Sequence, residues 1–217
     1  MHNAVTQATL LAGLLLNGPP ACSADEWPQA AWKTARPADV GMDNTLLQAR
    51  DYALTGQGSG CVVRHGMLVL SWGNPRQRYD LKSTTKSIGV TALGLAIADG
   101  KINLADKAVQ HHATLAVPPA ANQQTGWIPQ ITIQQLATQT AGFEKPGGYG
   151  KLIFEPATKW AYSDAGPNWL AECVTLAYHR DVSELMFQRV FQPLGITDKD
   201  LTWRRNQYRE PRIAGVM

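Results

Sequence analysis

The sequence predicts an α+β protein, on three observations. One stretch has the pattern of a β-hairpin, several stretches have the apolar spacing of helices, and the length fits one sizeable core. The chain has 217 residues, of which 44% are hydrophobic and 17% are charged, which is enough for one core or at most two small domains. We therefore expect residues 25–217 to form one domain.

A helix and the hairpin come first. Asp43 or Asn44 can cap a helix over "MDNTLLQARDYA" that ends near Gly56. The next stretch, "CVVRHGMLVLSWG", has two β-rich runs on either side of His65 and Gly66. Because glycine accepts the positive φ of a tight turn, this stretch predicts a hairpin.

Helices dominate the remainder of the chain. Apolar residues recur at helical spacing from Ser83 to Asp99, and Gly100 is a natural stop. A loop-rich region follows to about residue 130. "ITIQQLATQTAGF" then predicts a short capped helix, and "PNWLAECVTLAYHR" and "DVSELMFQRVF" predict two amphipathic helices.

The charge of the chain points to no macromolecular partner. The formal net charge is +3, and the lysines and arginines are scattered along the sequence. Nucleic-acid binding proteins concentrate basic residues on one face. We therefore expect no nucleic-acid partner.

Residues 1–24 are interpreted as a secretory signal peptide. The apolar run "AVTQATLLAGLLLNG" is short for a membrane span and precedes the small residues "ACSA". Cleavage near Ala24 would leave a periplasmic or secreted protein without a membrane span. The weakly charged start "MHN" leaves a disordered leader as an alternative, and Cys22 leaves a lipoprotein as a minor one.

The cysteines and histidines suggest no cofactor or metal. Export would allow a disulfide, but nothing in the spacing of Cys61 and Cys173 demands one, so two buried free thiols are expected. Adjacent His111 and His112 must point to different faces of any regular element. We expect both to be surface or loop histidines and not metal ligands.

The stretch "DLKSTTKSIG" holds a candidate nucleophile. Ser83 and Lys86 share a helix face at i and i+3, and a partly desolvated lysine can accept the proton of a serine hydroxyl. A serine at a helix start is more often only a cap. This motif by itself therefore leaves a catalytic and a capping role open for Ser83.

A second motif favours the catalytic interpretation. "FEPATKWAYSDAGPNWLAE" places Tyr162 and Asp164 directly before a helix, and a tyrosine can relay protons. In this order, the two motifs and the "ITIQQLATQTAG" turn resemble the serine β-lactamase and penicillin-binding protein superfamily, in its class C, D-alanyl-D-alanine peptidase and esterase branch. Ser83-Thr84-Thr85-Lys86 matches the family's S-x-x-K pattern, and Tyr162-Ser163-Asp164 matches its Y-x-N pattern.

The resemblance implies both a fold and a reaction. The fold is an α/β sandwich of the β-lactamase/transpeptidase type, an antiparallel sheet of about five strands flanked by helices. The reaction is acyl transfer, in which Ser83 attacks a carbonyl while Lys86 and Tyr162 move the proton and the Ser83 N–H helps to hold the oxyanion. The substrate would be a small amide or ester, such as a β-lactam, a D-Ala peptide or a small ester, and no cofactor would be needed.

Two features depart from the family pattern. Asp164 replaces an asparagine, which removes two donors and adds a charge. We expect Asp164 to pair with Lys86, and the added negative charge to favour neutral substrates. The third family pattern, Lys or His followed by Thr or Ser and Gly, has no match before Met217. The chain is therefore expected to be an N-terminal portion whose sheet is incomplete at the C-terminus.

The missing third pattern also supports a rival interpretation. The rival is a non-catalytic protein, either a decayed or truncated homologue or a penicillin-recognising sensor that is acylated without turnover, and the missing pattern argues for decay. The presence of Ser83, Lys86 and Tyr162 argues against simple decay of the site.

Overall fold

The computed structural model describes residues 31–145 and 147–203, which divide between Gln77 and Arg78 into two compact units. The described residues form helices and one two-stranded antiparallel sheet. The predicted α+β class is thus confirmed. The expected signal peptide, residues 1–24, lies outside the described residues.

The first unit contains the predicted helix and hairpin. Its elements are a 3₁₀ turn, helix α1 and strands β1 and β2, at Pro37–Val40, Thr45–Leu54, Gly60–Arg64 and Met67–Trp72. The helix start is stabilised by Asp43, whose Oδ1 accepts a hydrogen bond from the Thr45 N–H at 2.8 Å. The hairpin turn has positive φ at both His65 and Gly66, 52° and 74°, as a two-residue turn requires.

The second unit is mainly helical. Its α-helices are α2 Thr85–Ala98, α3 Ala108–His111, α4 Ile133–Thr138, α5 Ala165–Tyr178 and α6 Val182–Met186. Shorter turns are 3₁₀ turns at Lys82–Thr84, Ala120–Thr125, Ile128–Gln130 and Gln192–Leu194, and a π-helical turn at Phe187–Phe191. The last predicted helix is therefore interrupted, because α6 continues as the π turn.

Local chemistry sets the ends of these helices. Gly100 has a φ of +67° and ends α2 as predicted. The Thr132 hydroxyl accepts from the Gln135 N–H at 3.2 Å, and the Gln135 side chain accepts from the Thr132 N–H at 2.9 Å. This reciprocal pair is a capping box that starts α4.

Helix α5 forms the centre of the second unit. Every residue from Ala165 to Thr175 is buried, including the fully buried Trp169. A helix that is apolar on nearly all sides must be covered by its neighbours. Helix α2 contacts α5 and buries the small residues Gly89, Ala92 and Ala96, which allow close approach of a neighbouring backbone.

The cysteines and histidines differ from expectation. Cys173 is a buried free thiol, and burial raises its pKa to about 12, but Cys61 is free and exposed. His111 is mostly covered and bonds to Asp106 at 2.9 Å, and His112 is buried with its Nε2 2.7 Å from Glu172 Oε2. His111 ends α3 and is mostly covered, and His112 follows it in a loop but is buried, so the expectation of surface or loop histidines holds only for the loop position of His112.

None of the helices in the described part of the chain is long and apolar enough to cross a bilayer.

Gly142 allows a tight crossing of two loops in the second unit. It has a φ of +102°, and a Cβ there would lie 2.3 Å from the Phe154 carbonyl oxygen. Gly147 has the same φ, but a Cβ there would meet nothing within 4 Å. We expect Gly142→Ala to lower the free energy of unfolding by about 3 kcal/mol or more, through backbone strain and a clash.

Gly147→Ala is the matched control, because it adds the same strain without the clash. Chemical denaturation of both variants measures the difference. Equal losses of stability would contradict the close approach seen at Gly142.

Candidate active site

Ser83 lies in the 3₁₀ turn that leads into α2, in the second unit. The N-cap residues of this turn and of α2 are Leu81 and Thr84, and neither makes a side-chain capping hydrogen bond. The Ser83 Oγ instead accepts a hydrogen bond from Lys86 Nζ at 3.2 Å. The i, i+3 spacing thus brings the serine and the lysine together as predicted.

Tyr162 and Asp164 reach the same place from the segment before α5. Gln139 fixes this segment, because its Oε1 accepts from both the N–H and the hydroxyl of Ser163, each at 3.0 Å. The Tyr162 phenol interacts electrostatically with Lys86 and Ser83. Lys86 Nζ also lies 5.1 Å from the centroid of the Tyr162 ring.

The expected pair of Asp164 and Lys86 is present. Lys86 Nζ donates to Asp164 Oδ1 at 2.7 Å, with 19% and 31% of the two side chains exposed. A second cation, Lys145, donates to Asp164 Oδ2 at 2.6 Å and lies 4.9 Å from the Tyr162 ring centroid. Sequence reasoning missed Lys145, because "EKPGGYG" carries only the signal of a loop.

Lys145 changes the charge balance that the sequence predicted. The expected preference for neutral substrates rested on a net negative contribution from Asp164. In the structure, two ammonium groups share this one carboxylate. The balance therefore gives no electrostatic reason to exclude a substrate that carries a carboxylate.

The protonation of the site is set by competition between burial and partners. Burial alone would raise the pKa of Tyr162, but its hydrogen bonds with Lys86 and Ser83 outweigh burial and lower that pKa. Burial would lower the pKa of Lys86, but hydrogen bonds to Asp164 and Tyr162 raise it. Burial would raise the pKa of Asp164, but Lys145 and Lys86 lower it. Relative to isolated side chains, the site therefore favours the ammonium of Lys86 and makes the phenolate of Tyr162 easier to form.

This arrangement can activate a hydroxyl nucleophile. A serine that accepts a hydrogen bond from a lysine, with a tyrosine of lowered pKa beside that lysine, has a candidate acceptor for its proton. Within the described ranges 31–145 and 147–203, no group of three or more His, Cys, Asp or Glu side chains could hold a metal ion.

Comparisons with known proteins identify the family of the chain. The family model described as Beta-lactamase matches residues 56–215, most of the chain. The chain belongs to the beta-lactamase family. No curated protein gives a significant match.

Solved structures of the family share the fold. They include a beta-lactamase from Mycobacterium bovis, with 21% identity, a TM-score of 0.50 and coverage of 66% of this chain and 47% of that chain. The D-alanine carboxypeptidase AmpC from Burkholderia cenocepacia has 21% identity, a TM-score of 0.55 and coverage of 74% and 49%. A beta-lactamase/D-alanine carboxypeptidase from Pseudomonas syringae has 18% identity, a TM-score of 0.55 and coverage of 78% and 57%.

The beta-lactamase-like fold is therefore shown. The chain spans about half the length of these solved structures, from 47% to 57%. The described residues contain two strands, β1 and β2, where the sequence resemblance implies about five.

Proposed function

We propose that this protein is a serine hydrolase that cleaves an amide or ester bond through an acyl-enzyme on Ser83. The observation that carries the proposal is the hydrogen bond from Lys86 Nζ to Ser83 Oγ, at 3.2 Å, with the Tyr162 ring centroid 5.1 Å from the same Nζ. Membership of the beta-lactamase family supports the same reaction class.

In the first step Tyr162, as phenolate, accepts the Ser83 proton while Ser83 Oγ forms a bond to the substrate carbonyl carbon. The tetrahedral oxyanion is held in part by the Ser83 backbone N–H at the start of α2. Collapse breaks the bond to the leaving group, which takes the proton from Tyr162. Lys86 remains an ammonium throughout and stabilises the phenolate, which its raised pKa supports.

In the second step water replaces the leaving group. The water oxygen attacks the acyl carbon while Tyr162 accepts a proton from that water. The bond between the acyl carbon and Ser83 Oγ then breaks, and Tyr162 returns the proton to Ser83 Oγ. The products are a carboxylic acid and the free enzyme. These steps use side chains of this chain, the Ser83 backbone N–H and water, and need no cofactor.

The substrate class follows from the reaction and from the charge of the site. The similar structures are those of a beta-lactamase and a D-alanine carboxypeptidase, whose substrates present an acyl carbonyl of this kind. Small esters present the same group. Because two ammonium groups, of Lys86 and Lys145, share the one carboxylate of Asp164, the proposed substrates include both anionic and neutral molecules.

We also propose that the mature protein acts outside the cytoplasm, in the periplasm or as a secreted protein. The support is the apolar run and the "ACSA" sequence of residues 1–24. N-terminal sequencing of exported protein should give a start near Asp25. Recovery of the chain in the cytosol with Met1 intact would contradict this location.

A fluorescent penicillin and a chromogenic ester test the activity. We expect hydrolysis of the ester, and transient labelling by the penicillin that decays as the acyl group is released. Stable labelling without ester turnover would instead identify a sensor or binding protein. Neither labelling nor turnover would identify a non-catalytic homologue and would contradict the proposal.

A further inference from the structure

Asp164 uses its two carboxylate oxygens for two different lysines. Oδ1 accepts from Lys86 and Oδ2 from Lys145, at 2.7 and 2.6 Å. We propose that Lys145 is a positioning residue of the acyl-transfer site, which shares Asp164 with Lys86 and places a second ammonium against the Tyr162 ring. This inference rests on the proposed function.

The loop that carries Lys145 is attached to helix α5 at two further points. Asn168 Nδ2 donates to the Gly148 carbonyl at 2.8 Å, and the Tyr149 hydroxyl donates to Glu172 Oε1. Asp164, Asn168 and Glu172 follow one another at intervals of four residues, so they lie on one face of the helix. Each attaches a successive part of the same loop.

The attachment at Glu172 is buried. Glu172 is 3% exposed, and its other oxygen is 2.7 Å from His112 Nε2. At its base the loop is closed by an antiparallel bridge between Phe143 and Leu152. A lysine on an unattached surface loop gains little from one ion pair, whereas this loop holds Lys145 near Asp164.

The charges that face Asp164 explain what Lys145 contributes. They are the ammonium groups of Lys86 on α2 and Lys145 on the loop, with the Tyr162 phenol beside them. A carboxylate paired with Lys86 alone would hold the Lys86 proton strongly and place its full negative charge near the phenol. Lys145 neutralises part of that charge, and its own charge lies 4.9 Å from the ring centroid. Both effects favour the phenolate that accepts the Ser83 proton.

A double-mutant cycle with ester hydrolysis tests this coupling. Lys145→Met should lower kcat/KM by about tenfold when Asp164 is present. In the Asp164→Asn background the loss should be less than about threefold, because the carboxylate that pairs with Lys145 is then a neutral amide. In the unsubstituted protein, kcat/KM should rise with pH as Tyr162 loses its proton. In Lys145→Met this rise should occur at higher pH. Lys145→Arg, which keeps the charge, should recover most of the loss.

The matched control is Lys151→Met, which removes an exposed lysine from the same loop. It should leave kcat/KM and its pH profile unchanged. Equal losses from Lys145→Met in both Asp164 backgrounds, or a loss with an unmoved pH profile, would overturn the proposal and make the contact merely structural.

A second measurement is independent of catalysis. Ultraviolet titration of Tyr162, taken as the difference from Tyr162→Phe protein, should have its midpoint raised by Lys145→Met and not by Lys151→Met. An unchanged midpoint overturns the role of Lys145 even if the enzyme is active. A raised midpoint in a protein without activity supports it while contradicting the proposed function.

Discussion

Ser83→Ala is expected to lower kcat/KM for ester hydrolysis by about 10⁴-fold or more, because the acyl-enzyme can no longer form. The hydroxyl accepts a hydrogen bond from Lys86, and the described structure gives it no part in capping α2. Steady-state kinetics with a chromogenic ester, on protein free of contaminating esterase, measures the loss.

The same substitution should hardly affect folding. Ser83 is exposed, so the change in the free energy of unfolding should stay within about 0.5 kcal/mol. A loss near 1 kcal/mol would instead indicate a helix cap. Retention of most of the activity in a well-folded Ser83→Ala protein would contradict the nucleophile assignment.

Tyr162→Phe should cause the next largest effect, a fall in kcat/KM of about 10²- to 10⁴-fold. The change removes only the phenol oxygen, which is the proposed acceptor of the Ser83 proton and interacts electrostatically with Ser83. Lys86 cannot readily replace it, because hydrogen bonds to Asp164 and Tyr162 outweigh burial and raise the pKa of its ammonium.

The pH dependence separates a base from a structural tyrosine. A general base acts when deprotonated, so kcat/KM should rise with pH through the pKa of Tyr162, which its bonds to Lys86 and Ser83 hold below the ordinary value of a tyrosine despite burial. In Tyr162→Phe this rise should disappear. A variant that keeps the same pH profile with a uniformly lower rate would contradict the role of Tyr162 as the base.

The fold could be predicted where local signals were strong. The hairpin turn at His65 and Gly66 and the stop at Gly100 follow from backbone requirements that few residues meet. The buried polar contacts could not be predicted in this way. Asn122, from a stretch read only as loop, is buried and bonds to Ala116, Gly150 and Leu152. Such partners are distant in sequence, and no spacing rule indicates them.

The candidate site was predictable in its motifs but not in its charge. Ser83 and Lys86 are neighbours on one helix face, and Asp164 was expected at Lys86 from the family resemblance. Lys145 comes from a loop whose position depends on Asn168 and on Tyr149 reaching α5. A single loop lysine belongs to no periodic pattern, so the sequence indicated no role for Lys145. The expected balance counted Asp164 against Lys86 alone, whereas two ammonium groups share that carboxylate.

The measurement that tests the central claim most directly is mass spectrometry of the protein after reaction with a fluorophosphonate or penicillin probe. One adduct per chain should form, and peptide mapping should place it on the peptide that contains Ser83. The adduct should be absent from Ser83→Ala and slow to form in Tyr162→Phe. An adduct on another peptide, or labelling that persists in Ser83→Ala, would contradict the assignment of Ser83 as the nucleophile.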